Sequence, residues 1–235
     1  MKKQRLGILG GMGPQATQVF YQRILARTDA AADQEHIPTL INSDSTIPDR
    51  TAAILGGDTE ACFAKLLADA RELEGCGCTV MALPCNTAHY FVDRLQGEIG
   101  VPIVHMVRET VGELHRAGRR RVGILATDGT VRTGIYQREC EALGMEAIAP
   151  DPEVQKLVMS LIYDEIKRGE QGSPEKFALI DRHMREKGCD CAVLACTELS
   201  VYRVNHNLSD SFYMDAMEVL TERCITRCGY PLRQA

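Results

Sequence analysis

The sequence predicts an α/β fold built from two related halves, each with a parallel sheet. Short apolar runs of strand length alternate with amphipathic helical patterns, which is typical of parallel sheets covered by helices. The pattern then restarts, because residues 6–9 (Leu-Gly-Ile-Leu) resemble residues 122–125 (Val-Gly-Ile-Leu), and residues 75–85 resemble residues 188–196 at nearly the same spacing. A restart with matching segments indicates internal duplication rather than one continuous sheet.

The first half contains four predicted strands, each a short apolar run. They lie at residues 5–9, 39–42, 79–83 and 103–105. Pro14 follows a glycine loop at residues 10–13 and suits the first position of a helix, and apolar residues recur at helical spacing between the strands. Helices are therefore predicted at residues 16–27, 58–74, 88–96 and 108–117.

The second half repeats this alternation of strands and helices. Strands are predicted at residues 121–126, 146–148 and 191–195, and helices at residues 132–143, 152–168, 174–187 and 213–227. Residues 152–168 place their apolar side chains on one face, which predicts a single long helix. We assign residues 1–114 and 208–235 to a first domain and residues 115–207 to a second, with the active site in the cleft between them.

Composition argues against several classes of function. The 235 residues include 32 acidic and 27 basic side chains, and a net charge of -5 gives no bulk attraction to nucleic acids or anionic membranes. No apolar run approaches the ~20 residues of a membrane helix, and glycines interrupt the N-terminal segment too early for a signal peptide. We expect a cytoplasmic protein that binds neither nucleic acid nor membrane.

The cysteines and glycines do not form a cofactor motif. Ten cysteines are present without a C-x-x-C, and the duplication explains two of the close pairs, at 76/78 and 189/191, as equivalent strand starts. We therefore predict reduced, mostly buried thiols and no metal site. The glycine loop lacks the G-x-G-x-x-G register and a P-loop Lys-Ser/Thr, so no nucleotide cofactor is predicted.

Cys85 and Cys196 stand apart from the other cysteines. Each directly follows a buried strand, so each is expected at the carboxyl end of a parallel sheet, where ligands bind in open α/β folds. A helix beginning just after each cysteine would direct N–H groups and its positive dipole end at the sulfur, which lowers a thiol pKa. Two thiols across one cleft suit proton removal from one face of a carbon and proton delivery to the other.

These segments resemble the aspartate/glutamate racemase family. The resemblance rests on residues 81–89 (Met-Ala-Leu-Pro-Cys-Asn-Thr-Ala-His) and 192–199 (Ala-Val-Leu-Ala-Cys-Thr-Glu-Leu), and on residues 7–14, 47–51 and 162–169, which are similar to its aspartate racemase branch. It implies two Rossmann-like halves, a cofactor-independent two-base mechanism with Cys196 on the L face and Cys85 on the D face, and a homodimer. Glutamate racemases proper carry Cys-Thr-His at the second cysteine, whereas this chain has Cys-Thr-Glu.

The resemblance also implies residues that bind the substrate. Arg50, in a turn-rich segment, can hold a carboxylate by two hydrogen bonds. Lys167, in the last turn of its predicted helix, is a second carboxylate anchor, and Glu198 can orient the substrate ammonium. The remaining candidates are small or flexible side chains at strand ends and in the glycine loop, where helix capping is the alternative for the threonines and the asparagine: Met12, Asn86, Thr87, Thr127, Thr130 and Thr197.

Several alternatives stay open at this point. His89, four residues after Cys85, is a candidate partner for the thiol, or else a surface or capping residue. The substrate is expected to be aspartate, with glutamate, a broad range of amino acids or another small carboxylate as alternatives. Outside enzymes, an amino-acid-binding protein or a thiol- or metal-binding protein could share the scaffold.

Overall fold

A computed structural model describes residues 4–233 of the chain. The first half comprises strands β1 (Leu6–Gly10), β2 (Thr39–Ser43), β3 (Val80–Ala82) and β4 (Ile103–Val104). Its helices are α1 (Pro14–Arg27), α2 (Arg50–Gly56), α3 (Glu60–Gly75), α4 (Val92–Gln96) and α5 (Met106–Arg116), with 3₁₀ turns at Asp33–Glu35 and Thr87–Phe91. Pro14 is at the first position of α1, as its fixed backbone angle favours.

The second half has the same succession of elements. Its strands are β5 (Arg121–Leu125), β6 (Glu146–Ile148), β7 (Cys191–Leu194) and β8 (Tyr213–Asp215). Its helices are α6 (Asp128–Thr133), α7 (Ile135–Ala142), α8 (Pro152–Ser160), α9 (Pro174–Glu186), α10 (Thr197–Asn205) and α11 (Ala216–Arg227). A π-helical turn at Leu161–Glu165 and a 3₁₀ turn at Ile166–Arg168 follow α8.

The two sheets have equivalent topology. Within residues 4–233 the strand orders are β2-β1-β3-β4 and β6-β5-β7-β8, and all the pairings within the sheets are parallel. β3 and β7 therefore lie at corresponding positions beside β1 and β5. The predicted α/β fold with two parallel sheets is confirmed, and the matched strand orders agree with an internal duplication.

The two halves share part of their hydrophobic core. One buried cluster combines Leu6 and Ile8 of β1 with Val122 and Ile124 of β5. α11 packs against α1 and α5 and so fastens the end of the chain to the first half. None of the helices within residues 4–233 combines the length and the apolar character needed to cross a bilayer.

Several predicted helices differ from the structure. The helix predicted at residues 132–143 is interrupted at Gly134, which separates α6 from α7, and the one predicted at residues 88–96 begins as a 3₁₀ turn. The helix predicted at residues 213–227 is wrong for its first three residues, since β8 pairs with β7 and Asp215 then caps α11 by accepting from the Met217 N–H. β8 therefore lies in the second sheet, although we assigned residues 208–235 to the first domain. The single helix predicted at residues 152–168 is a regular α-helix only as far as Ser160, and it continues to Arg168 as a π-helical turn and a 3₁₀ turn. Beyond Ser160, the buried Glu165 carboxylate accepts from the Ser173 N–H and from Lys176, tertiary contacts that the apolar pattern does not encode.

Another segment of the backbone approaches the loop after β1 so closely that one position of this loop requires glycine. Gly11 has a φ of +88°, and a Cβ there would lie 2.2 Å from the backbone carbonyl oxygen of Asp44. Only glycine fits such an approach at a positive φ. The loop is thereby held against the segment that follows β2, which is also the segment that carries Arg50.

Candidate active site

The two predicted cysteines meet in one small cavity between the halves. Cys85 follows β3 after Leu83 and Pro84, and Cys196 follows β7 and precedes α10. Each is 6% exposed, and both line a cavity of about 10 Å³, close to the space that one water needs. The structure therefore brings together the two thiols that the sequence placed at equivalent strand ends.

Cys196 is held in its protonated form. Its Sγ donates to Glu198 Oε2 at 2.7 Å. Burial raises the pKa of this thiol well above its ordinary value, and the Glu198 charge raises it further, while Lys167 acts in the opposite direction. The backbone N–H of Glu198 at the start of α10 does act to lower this pKa, as expected, but desolvation and the Glu198 carboxylate outweigh it, so the net direction is upward.

Arg50 is buried rather than projecting from a turn. It is the first residue of α2, which Asp49 caps by accepting from the Ala52 N–H at 2.7 Å. The Arg50 side chain is 7% exposed, its Nη1 donates to the carbonyls of Ile47 (3.1 Å) and Pro48 (2.9 Å), and its Nε has no hydrogen-bond partner within the described chain.

The charge of Arg50 acts directly on Cys85. Burial lowers the pKa of the guanidinium, but negative charge at Cys85 and Asp49 and a hydrogen bond to the Cys85 sulfur raise it more, so the net direction is upward. Arg50 is therefore a permanent cation beside Cys85, and a Cys85 thiolate would have a counter-ion in place.

Lys167 lies between two carboxylates from different halves. Its Nζ is 4.0 Å from Asp49 Oδ2, 3.9 Å from Glu198 Oε1 and 4.3 Å from the centre of the Tyr163 ring. It is carried by the 3₁₀ turn at Ile166–Arg168, not by the last turn of a regular helix. Its position at the cleft is the one expected for a substrate-binding residue. Its charge, however, already interacts with the carboxylates of Asp49 and Glu198.

Hydroxyl groups close the cleft on the side of α6. Thr87 Oγ1 lies 3.0 Å from Thr127 Oγ1 and 2.9 Å from Thr130 Oγ1, so the three threonines bond to one another across the halves. Thr127 also caps α6 by accepting from the Thr130 N–H at 3.3 Å. Thr87 and Thr127 line the inner cavity, whereas Thr130 lies behind them.

The remaining candidates also surround the thiols. Met12 and Thr197 line the inner cavity and are buried, and the Thr197 hydroxyl is 3.4 Å from Glu198 Oε2. Asn86 lines it as well: its Oδ1 accepts from the Tyr136 hydroxyl at 2.5 Å, while its Nδ2 has no partner within residues 4–233.

His89 does not pair with the Cys85 thiol. Its Nε2 accepts from the Met106 N–H at 2.9 Å, so its Nδ1 carries the proton and donates to the Cys85 carbonyl at 2.9 Å. Burial and then the nearby His105 lower the pKa of His89 to about 3, which keeps it neutral. The candidate role as a thiol partner is therefore wrong, and His89 instead ties the Cys85 backbone to the start of α5.

A larger chamber opens onto the inner cavity. It has a volume of about 400 Å³ and shares Asp49, Arg50, Lys167 and Glu198 with the cavity that holds the thiols. Gly13 and Gln15 at the start of α1 and Ser45 after β2 line its other side. A small molecule entering this chamber meets two cations and two carboxylates before it reaches the cysteines.

Sequence reasoning missed four residues at or beside the site, of which Thr51 lines the inner cavity and follows Arg50 in α2. Asp49 caps α2 and approaches Lys167, and the Tyr163 hydroxyl donates to Asp49 Oδ2 at 3.1 Å. Both lie in segments that carried the family resemblance, which was the available signal. Tyr136, which binds Asn86, had no signal in the sequence beyond a place in a predicted helix. Within residues 4–233, His, Cys, Asp and Glu side chains do not assemble in threes or more to hold a metal.

The two related α/β halves, with a cysteine from each on one cavity, match the two-domain architecture of amino-acid racemases. The structure superimposes on an aspartate racemase from Picrophilus torridus with a TM-score of 0.81, at 28% identity, covering 97% of this chain and 96% of that one. Residues 9–224 match the family model described as Asp/Glu/Hydantoin racemase, and the chain belongs to this family. The prediction of an isomerase of the racemase type is confirmed.

Relatives known by sequence agree with this family. The broad specificity amino-acid racemase RacX of Bacillus subtilis is 27% identical over 231 residues, which is 94% of this chain and 96% of that protein. A glutamate racemase from Aquifex pyrophilus is 28% identical over 151 residues, covering 62% of this chain and 57% of its own length. The similarity therefore extends over nearly the whole chain for RacX and over part of it for the glutamate racemase.

Proposed function

We propose that the protein interconverts L- and D-aspartate by proton transfer at Cα between two cysteines, without a cofactor. The observation that carries this proposal is that Cys85 and Cys196 come from equivalent strand ends in opposite halves and line the same cavity. The similarity to an aspartate racemase over almost the full length of both chains supports the choice of substrate.

The reaction balances with the two thiols alone. A thiolate on one face takes the Cα proton, and the electron pair delocalises into the α-carboxylate. The thiol on the opposite face then gives its proton to Cα, so the base ends as a thiol and the acid ends as a thiolate. Exchange with solvent restores the starting arrangement of protons.

The two cysteines have different surroundings. Cys196 keeps its proton through burial and the bond to Glu198, while Arg50 supplies a counter-ion for a thiolate at Cys85. With Cys85 on the D face, as the family resemblance implies, a Cys85 thiolate would be the base for the D enantiomer. The L enantiomer requires Cys196 to lose its proton, and Glu198 at 2.7 Å is the acceptor in reach.

Two buried donors in the inner cavity suit a carboxylate. Arg50 Nε and Asn86 Nδ2 have no partner within the described chain, and both residues line the cavity of the thiols. An unmatched buried donor costs roughly 1–3 kcal/mol, a cost that a carboxylate between the two groups would remove. Because the cavity itself admits only about one water, the substrate must enter from the larger chamber and widen the inner site.

A broader range of amino acids is the second candidate function. The chamber of about 400 Å³ exceeds what an aspartate side chain requires, and it offers Asp49 and Glu198 as well as the two cations. The Asp49 and Glu198 carboxylates can accept hydrogen bonds from neutral or basic substrate side chains. The full-length similarity to a broad specificity amino-acid racemase supports this alternative.

The expected homodimer and cytoplasmic location remain part of the proposal. They rest on the family resemblance and on the composition of the chain. Size-exclusion chromatography with light scattering on the purified protein tests the dimer: twice the chain mass of 26.0 kDa is expected, and the mass of a single chain would contradict it.

Chiral chromatography of the products tests the proposed function. Purified enzyme incubated with single L-amino acids should form D-aspartate fastest, and comparable rates across neutral and basic amino acids would favour the second candidate. Cys85→Ser and Cys196→Ser should each abolish racemisation. Cys76→Ser is the matched control because Cys76 is exposed and outside the cleft, so this variant should remain active.

A further inference from the structure

We propose that Tyr136 is a positioning residue that fixes the amide of Asn86 so that its NH₂ group faces the substrate carboxylate. The proposal rests on the proposed function only in taking an amino acid as the ligand of the cleft. It concerns a contact between the halves, since Tyr136 lies on α7 of the second half and Asn86 follows Cys85 in the first.

The geometry of this contact leaves the amide one orientation. The Tyr136 hydroxyl donates to Asn86 Oδ1 at 2.5 Å, and the Tyr136 side chain is 0% exposed. With Oδ1 engaged, Nδ2 is directed elsewhere, and within residues 4–233 it has no partner although Asn86 is only 2% exposed. A buried amide whose oxygen is fixed and whose nitrogen is free is prepared to donate to a ligand.

The neighbouring unpaired donor indicates the chemistry of that ligand. Arg50 Nε is also buried without a partner in the described chain, and Arg50 and Asn86 line the same cavity as both cysteines. One neutral and one charged N–H donor on the same cavity match the two oxygens of a carboxylate. Without the Tyr136 hydroxyl the amide could rotate and present Oδ1, which repels a carboxylate.

Tyr136 acts through Asn86 rather than on the substrate. It does not line the inner cavity, whereas Asn86 does. Burial raises the pKa of the Tyr136 hydroxyl well above its ordinary value, so the group remains a protonated donor and does not serve as a base. Although its hydroxyl also has a hydrogen bond with the Thr110 side chain, its effect on substrate binding should depend on the presence of the Asn86 amide.

Tyr136→Phe tests this dependence. We expect the KM for L-aspartate to rise about tenfold with a smaller change in kcat, and the Kd measured by calorimetry in the Cys85→Ser background to rise equally. In an Asn86→Ala enzyme, adding Tyr136→Phe should change neither constant further. Tyr213→Phe is the matched control: Tyr213 is also buried and donates at 2.5 Å, but to Asp181 outside the cleft, so KM should stay unchanged.

A second variant keeps the test valid if Tyr136→Phe does not fold. Asn86→Asp retains an acceptor for Tyr136 and replaces the free NH₂ by a carboxylate oxygen, so the KM and Kd for L-aspartate should rise more than tenfold. An unchanged KM in Tyr136→Phe, or losses that multiply in the double variant, would overturn the inference. So would a Cys85→Ser protein that does not bind L-aspartate. Binding of L-aspartate by the wild-type protein without any racemisation would refute only the proposed function.

Discussion

Replacement of Arg50 by alanine should separate recognition of the substrate from support of the thiol. The guanidinium has one buried Nε without a partner in the described chain and lies beside Cys85 in the inner cavity. A charge-assisted hydrogen bond to a carboxylate is worth roughly 1.5–3 kcal/mol, and ~1.4 kcal/mol corresponds to a factor of ten. If Arg50 binds the side-chain carboxylate, L-aspartate should lose about ten- to a hundredfold or more in kcat/KM.

L-Asparagine provides the matched comparison for this experiment. It has nearly the shape of aspartate but lacks the side-chain charge, so it should lose much less. Any effect of Arg50→Ala on Cys85 lowers kcat/KM for both substrates equally. The ratio of the loss for L-aspartate to the loss for L-asparagine therefore cancels that effect. Thermal melting checks the fold, since Arg50 also donates to the carbonyls of Ile47 and Pro48.

The ratio of the two losses in kcat/KM shows which substrate carboxylate the Arg50 guanidinium binds. A loss confined mainly to L-aspartate supports the side-chain carboxylate as its partner. Equal losses for both substrates would move Arg50 to the α-carboxylate, and no loss for either would remove it from the site. Arg50→Lys, which keeps the charge but not the planar fork, should fall between wild type and Arg50→Ala for L-aspartate.

Three further outcomes are expected. Burial and the nearby His105 lower the pKa of His89 to about 3 in the folded protein. As the pH falls, the unfolded chain therefore binds a proton at His89 at a higher pH than the folded protein does. His89 should therefore lower the unfolding free energy in urea by up to ~1.4 kcal/mol per pH unit below about 6.5, and His105, whose pKa burial lowers to about 4, adds a slope of its own. His89→Gln should make the total slope shallower, and a wild-type slope equal to that of the variant would contradict this. Glu198→Gln should speed alkylation of Cys196 by iodoacetamide, because it removes a charge that raises the pKa of the thiol; an unchanged rate, read by mass spectrometry, would argue against that role. Activity should survive dialysis against a chelator with no pyridoxal absorbance in the protein, and a loss restored by a metal would count against a cofactor-free reaction.

The sequence was sufficient for the fold and for the position of the two candidate cysteines because both follow local rules. Apolar runs and helical spacing give strands and helices, and duplicated segments give two similar sheets. Parallel strands end at the same edge, so cysteines within a few residues of the ends of β3 and β7 were expected at corresponding positions. The structure places Cys85 and Cys196 there, on one cavity.

Features that depend on contacts between distant segments could not be predicted in this way. The pKa of Cys196 reflects a balance of burial, Glu198 and Lys167, of which the sequence showed only the helix that begins nearby. The bonds from Tyr136 to Asn86 and from Tyr163 to Asp49 join residues of different halves, so no local pattern announces them.

Deuterium incorporation during turnover in D₂O tests the two-base account most directly. With an L-substrate at early times, a thiolate on one face removes the Cα proton and a different thiol delivers a solvent-derived deuteron to the other face. The account predicts deuterium at Cα of the D-product while unreacted L-substrate stays protiated. Deuterium appearing equally in recovered L-substrate and D-product would show one base serving both faces and would contradict the central role of the Cys85–Cys196 pair.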